Sequence, residues 1–361
     1  EFVSTYPNSR HTAEINTLII DSYLQNNDYI GALDYYASKY LYKNKTYYKV
    51  SLYRGMQLFQ SAKYREAIPF FKTCSNQLIA PETQALALYW KAESAYLLQD
   101  YTSALNDFNR FKKHPKAKQT EEYKSIYYAI GYSYFKLKDY QKSMSSFENY
   151  SQSNNTSALK KNDTYVRMGD CSFIEKSYWN AMEHYNKVIE KRGIDADYAA
   201  YQKGISYGFV GRNEKKITSL AAFAKNYPES SYKDDALYEL GKAYIAAKEN
   251  NKAIDTFERL ITTYETSVYA PKVMLKQGLL YFNENNAEKA LKKYKLVVRN
   301  YPKSKEAPQA VQNARQVYVD IDKVDDYARW IKDIGYTNFS NTDLDNAMYE
   351  AATLKYQANK L

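Results

Sequence analysis

The chain has 361 residues and a formal charge of +10, from 51 Lys and Arg against 41 Asp and Glu. Hydrophobic residues make up 45% and charged residues 25%, a balance that excludes wholesale disorder. Its 11 glycines and 8 prolines are too few for a collagen-like chain or a turn-rich β-sandwich, and no run nears the roughly 18 apolar residues of a membrane-spanning helix. Tyrosine is the outlier, with 41 copies.

Along the chain, Glu1-Phe2-Val3-Ser4-Thr5 carries neither the basic nor the apolar stretch of a secretory leader. Glu1-Phe2 and the closing Lys360-Leu361 are dipeptides that common cloning sites encode. A fixed period then takes over. Gly55, Gly131, Gly169, Gly204, Gly241 and Gly278 lie in helix-prone stretches, and Ala92 fills the same slot between the first two. Their successive intervals are 37, 39, 38, 35, 37 and 37 residues. A mid-helix glycine costs about 1 kcal/mol relative to alanine, so its recurrence points to a packing demand.

Other positions keep step. An aromatic or apolar residue follows three later (Leu58, Tyr134, Tyr207, Tyr244, Tyr281), with Ser172 departing. A second small residue comes nine further on (Ala67, Ala104, Ser143, Ala181, Ala253, Ala290), broken once by Lys216. Four after that stands Phe71, Phe108, Phe147, Tyr185, Leu220, Phe257 or Tyr294. Two helices per unit explain this: small residues let the pair cross closely, and the large one fills the groove between neighbouring units.

In chain order, residues 1–10 form the tail of a preceding repeat, and 11–46 a degenerate first unit on Ile20, Tyr23, Ala32 and Tyr36. Seven regular units follow, at 47–83, 84–122, 123–160, 161–195, 196–232, 233–269 and 270–306. Residues 307–338 make a degenerate ninth on Val311, Arg315, Tyr318, Tyr327 and Ile331. In 339–361 a further helical pattern opens (Leu344, Met348, Ala351, Leu354) and stops without a partner, so a segment of a longer array is expected. Tyr-x-x-Ser junctions recur at Tyr6, Tyr227, Tyr264 and Tyr301, three of them with proline second. Proline stops one helix and the serine leads into the next.

The spacing resembles the tetratricopeptide repeat, a helix–turn–helix unit, over essentially the whole chain. The Tyr-Pro-x-Ser junction is similar to that of bacterial cell-envelope repeat proteins, of the outer-membrane-assembly lipoprotein and Tol-Pal-associated periplasmic types. The resemblance implies an all-α, right-handed superhelical solenoid of about nine units, whose first helices line a concave face. It also implies a non-catalytic scaffold for a peptide or protein partner, in a periplasmic or outer-membrane-associated complex, with a cytoplasmic location as the alternative.

Three residues before the small slot lie Leu52, Tyr89, Tyr128, Val166, Tyr201, Tyr238 and Leu275. Four of the seven are tyrosine, an aromatic ladder if they face the groove and interhelix packing if they do not. Glu93, Tyr132, Asp170 and Lys242 follow the slot by one and share that face. A basic surface at Lys289, Lys292, Lys293, Lys295 and Arg299 gives the rival reading, an anionic polymer or lipid partner, with RNA a distant third. A second basic cluster runs from Arg110 to Lys118. No metal-ligand spacing, phosphate loop or nucleophile elbow occurs, so neither cofactor nor enzyme activity is expected. Cys74 and Cys171 fit buried hydrophobes.

Overall fold

The computed structural model describes residues 2–76, 78–154, 157–334 and 341–358. Expectations placed on Glu1 and Lys360-Leu361, and on the side chains of Leu344, Ala351 and Leu354, lie outside the described residues. Among those described there is no strand, and no helix long and apolar enough to cross a membrane.

Two compact units cover residues 1–196 and 197–361. In the first, α1 (Phe2–Thr5) precedes four regular hairpins and a shorter one. The shorter one pairs α2 (Thr12–Gln25) with α3 (Tyr29–Ser38). The others pair α4 (Lys45–Gln60) with α5 (Tyr64–Ser75), α6 (Pro81–Leu97) with α7 (Tyr101–Lys113), and α8 (Ile126–Lys136) with α9 (Tyr140–Gln152). The last pairs α10 (Ala158–Ile174) with α11 (Tyr178–Glu190). The second unit opens with α12 (Ala196–Phe209), α13 (Asn213–Ala221) and the short α14 (Phe223–Asn226). It continues with α15 (Lys233–Ala246) and α16 (Asn250–Thr263), α17 (Ala270–Asn283) and α18 (Ala287–Asn300), α19 (Ala307–Asp320) and α20 (Val324–Asp333), then α21 (Asn341–Ala358).

The glycine period marks where the helices of a hairpin cross. A Cβ added at Gly55 would lie 2.6 Å from the Phe71 ring, at Gly131 2.7 Å from Phe147, and at Gly204 2.9 Å from Leu220. Gly169, Gly241 and Gly278 are closer still to Tyr185, Phe257 and Tyr294. The large side chain therefore seats first on the backbone of its own hairpin. It also reaches the next repeat, as where Phe108 clusters with Ile126 and Ile130, or Tyr294 with Ala310 and Val311. The second small residue is fully buried at Ala67, Ala104, Ala181, Ala253 and Ala290. At Ser143 the hydroxyl donates to the Gly131 carbonyl oxygen at 2.9 Å, which satisfies a buried polar group inside the crossing. Lys216 is accommodated because the small residue moves to the facing helix: a Cβ at Gly208 would meet the Lys216 Cδ at 2.9 Å.

Nine hairpin turns share one backbone form that the sequence pattern did not reveal. Seven residues after each small slot the chain enters the left-handed region, at Asn27, Ala62, Gln99, Lys138, Lys176, Gly211, Lys248, Asn285 and Asp322. At Ala62, its own N–H bonds to the Phe59 carbonyl and the following N–H, of Lys63, to that of Leu58. That pair of bonds is the Schellman closure, and it recurs at the other eight turns. Only one of the nine residues is glycine, although the left-handed conformation costs other residues about 1–2 kcal/mol. Ring pairs clamp several of these turns, including Phe59 with Tyr64, Tyr96 with Tyr101, and Phe135 with Tyr140. At the junctions between repeats, Ser230 and Ser267 accept bonds from the N–H groups of Tyr232 and Tyr269, at 3.1 and 3.2 Å, just before the next helix.

The last helix packs on the preceding hairpin. Ala347 is buried with Val319 and Val324, and Glu350 pairs with Arg315 at 3.0 Å. Burial pushes the Cys74 thiol up to about 12 and the Cys171 thiol up to about 11, the behaviour of inert core residues.

Two substitutions test these features. Gly241→Ala gains helix propensity but drives a methyl into the fully buried Phe257 ring, so denaturant titration should show a net loss of about 1–3 kcal/mol. Ala62→Gly relieves the exposed left-handed turn and should stabilise by about 0.5–1 kcal/mol. A stable Gly241→Ala protein would mean that the crossing is not tight.

Candidate partner-binding face

The aromatic ladder divides into core and surface. Leu52, Tyr89 and Val166 are buried, and the Tyr89 ring packs on Phe108 and Phe111 at centroid distances of 5.6 and 5.3 Å. Of these three, Tyr89 also reaches the lining of a pocket. Tyr128, Tyr201 and Tyr238 are half-buried. In the second unit, Tyr201 stacks on Tyr232 at 5.6 Å and Tyr238 on Tyr269 at 4.3 Å, both pairs nearly parallel. The covering rings come from the turns after Ser230 and Ser267. One face of each ladder tyrosine is thereby used inside the repeat array.

The polar residues of this stretch are tied down too. Lys242 pairs with Glu239 at 2.7 Å and lies over the Tyr238 ring at 5.2 Å, while Lys216 reaches the same carboxylate at 2.9 Å. Burial opposes the Glu239 charge, but bonds from Lys242 and Lys216 outweigh it and hold its pKa below the usual value. The Tyr269 hydroxyl donates to Asp235 at 2.6 Å.

In the first unit the equivalent first-helix residues line a pocket of about 300 Å³. Its lining includes Tyr89, Glu93, Tyr96, Phe108, Tyr128, Tyr132 and Lys160, so four of the residues singled out by spacing meet there. Beneath it, Tyr128 and Tyr132 both donate to Asp163 Oδ2, at 2.8 and 2.5 Å. Arg167 bonds Asp163 at 3.3 Å and Asp170 at 2.6 Å, and Asp170 also accepts from the Tyr185 hydroxyl at 2.9 Å. Asp170 is thus buried in a bond between helices rather than presented on the face. Burial works against the Arg167 charge, yet the flanking Asp170 and Asp163 overcome it and raise its pKa. Burial and the Asp163 bond likewise hold the Tyr132 hydroxyl protonated.

Glu93 behaves differently. Burial raises its pKa, against the opposing effects of a Tyr89 hydroxyl bond and the Lys160 charge. The carboxylate is kept in a place that disfavours its charge, the kind of cost found at functional sites.

Lys160, Asp163, Arg167 and Tyr96 were not singled out by spacing. Asp163, Arg167 and Asp170 do form an i, i+4 and i, i+3 charge series on α10, a readable sign of one helix face. The link from Asp163 to Tyr128 and Tyr132 of the preceding repeat leaves no local mark.

On the basic stretch, Lys293 is paired with Glu258 at 2.5 Å. Lys295 lies over the Tyr318 and Trp330 rings at 5.3 and 5.5 Å, and Lys289 over Tyr281 at 5.4 Å. Lys292 and Arg299 are exposed. In the earlier cluster, Arg110 pairs with Asp107 and Lys116 with Glu82, each at 3.0 Å. Among the described residues no group of three or more His, Cys, Asp or Glu is placed to hold a metal ion.

Residues 86–117, 235–267 and 272–304 match one tetratricopeptide repeat family model, and residues 125–155 match a second. These segments are tetratricopeptide repeats, and the fold is an all-α tetratricopeptide-repeat solenoid. The C-terminal part of a TPR repeat-containing protein from Cytophaga hutchinsonii superposes with a TM-score of 0.58 at 16% identity, over 72% of this chain and 98% of that one. The apo form of RapI superposes with a TM-score of 0.56 at 13% identity, over 95% of this chain and 98% of that one. No curated protein matches.

The raised Glu93 pKa gives a signed expectation. A carboxyl whose folded pKa lies above its unfolded value opposes folding whenever it is ionised, and that cost fades as the pH falls and the group protonates. Glu93→Gln should therefore melt higher than the parent at pH 7. The gain should shrink as the pH drops towards the ordinary glutamate value of about 4.3. Calorimetry across pH reads this out; a variant less stable at pH 7 would mean that Glu93 is a structural partner.

Proposed function

We propose that the chain is a non-catalytic interaction scaffold that takes a peptide or protein partner along the first-helix face. The observation that carries this reading is the pocket of the first unit, where Tyr89, Tyr96, Tyr128 and Tyr132 surround a carboxylate that the fold keeps at a cost. Tyrosine supplies contact area with little rotamer entropy to lose, which suits a recognition surface. The tetratricopeptide repeats support the same reading, since stacked hairpins provide an extended surface with no built-in chemistry.

For the setting, we propose a bacterial cell-envelope complex concerned with assembly, secretion or maintenance, in the periplasm or at the outer membrane. The Tyr-Pro-x-Ser junctions support it. The basic stretch supports an anionic partner less well, because Lys289, Lys293 and Lys295 are already engaged with rings or a carboxylate.

The test is capture from native envelopes, followed by affinity measurement with the captured partner. Tyr128→Ala and Tyr201→Ala should each weaken it by about 1–2 kcal/mol or more, with little salt dependence. Charge reversal at Lys292 and Arg299 should change it little. Helicity and melting of each variant must match the parent. A well-folded Tyr128→Ala/Tyr201→Ala protein with full affinity would remove the first-helix face from the mechanism.

A further inference from the structure

We infer that the pocket of the first unit is a cage for one cationic side chain of the partner, a lysine or arginine. This rests on the docking face proposed above and adds the chemistry of its central subsite. Five of the residues lining the pocket are aromatic: Tyr89, Tyr96, Phe108, Tyr128 and Tyr132. Ring faces attract cations through their quadrupole, most strongly where water is excluded. Glu93 stands among them, beside Tyr89 in the lining. Among the described residues, no Lys, Arg or His nitrogen lies within 4.0 Å of its carboxylate.

Two hydroxyls that would greet an anion are committed elsewhere. Tyr128 and Tyr132 donate to Asp163. A guest therefore meets ring faces and the Glu93 carboxylate, with the Lys160 ammonium at the wall. The surrounding charge has the same sign: Glu93, Glu122, Asp163 and Asp170 against Lys160 and Arg167, an acidic spot in a chain of net charge +10.

The structure already holds an ammonium in this manner. Lys160 Nζ lies 5.3 Å from the centroid of the Tyr128 ring while donating to Ser125 Oγ at 2.9 Å. It rests at the pocket wall and tempers the Glu93 charge without pairing with it. Lys160 is a competitor for the cage, not a ligand for the guest. Removing it should open the site to an incoming cation.

The test uses blocked pentapeptides with lysine, arginine, norleucine or glutamate flanked by glycine and serine, titrated into the whole chain carrying ¹³C-labelled tyrosine rings. Lysine and arginine peptides should shift the ring signals of Tyr89, Tyr96, Tyr128 and Tyr132, and should bind about fivefold or more tighter than the norleucine peptide. Glu93→Gln should erase most of that preference, whereas Lys160→Met should tighten lysine-peptide binding about threefold or more. Four results would overturn the assignment: tighter binding of the glutamate peptide, equal binding of lysine and norleucine, no binding of any peptide, or weaker lysine binding by Lys160→Met. The two variants move affinity in opposite directions, so a loss of fold cannot imitate the pattern. If partner capture depends on Tyr128 but the lysine peptide does not bind, the docking face stands and the cage falls. If the lysine peptide binds but capture ignores Tyr128, the reverse holds.

Discussion

The contact between a small residue on a first helix and the large side chain sixteen residues later sets how closely the two helices of a hairpin approach, and the rest of the structure is arranged around it. With Gly55, Gly131, Gly169, Gly204, Gly241 or Gly278 beneath it, a buried ring or leucine rests on bare backbone. A methyl added at these glycines would press on that ring or leucine, and the side chain or the helices would have to shift. The same ring is then available on its far side, as Tyr294 over Gly278 is to Ala310 and Val311. One side chain thus closes a hairpin and joins it to its neighbour.

The abundance of tyrosine fits this double duty. A phenylalanine fills volume; a tyrosine also carries a donor at the end of a rigid ring, and a buried donor requires an acceptor at a fixed place. Tyr128 and Tyr132 find theirs on Asp163 of the following repeat, Tyr269, just before α17, on Asp235 of α15, and Tyr36 on Asn44 just before α4. Each such bond selects one register between repeats. Apolar packing alone tolerates small slips far better.

The helical period was legible because glycine inside a helix is costly and therefore conspicuous, and because residues that cross are a fixed distance apart in sequence. The aromatic cluster at Tyr89, Glu93, Tyr128 and Tyr132 could be located for the same reason. Its depth could not. Tyr89 and Tyr128 hold equivalent positions, yet Phe108 and Phe111 bury the Tyr89 ring while Tyr128 stays half-buried on the pocket. That difference depends on what the adjoining repeats supply, which spacing does not encode. Asp163 and Lys160, both on α10, escaped notice because their partners lie more than thirty residues away, on or just before α8. The left-handed turns escaped because Ala62, Gln99, Lys138 and Lys248 carry none of the usual marks of such a conformation.

Those turns bear on how the chain acquires its structure. A hairpin closed by glycine could form early on local preference alone. Here Lys138, Lys176 and Lys248 must be held at positive φ by something other than their own preference, and the available force is the packing of the flanking helices. An emerging chain gains that packing in full only when the next repeat arrives to cover the ring at the crossing. Order would then spread repeat by repeat, with each new hairpin locking the turn before it. Gene rearrangements face the same rule: loss of a whole period leaves every remaining turn supported, while loss of a few residues unseats a ring and the turn it secures.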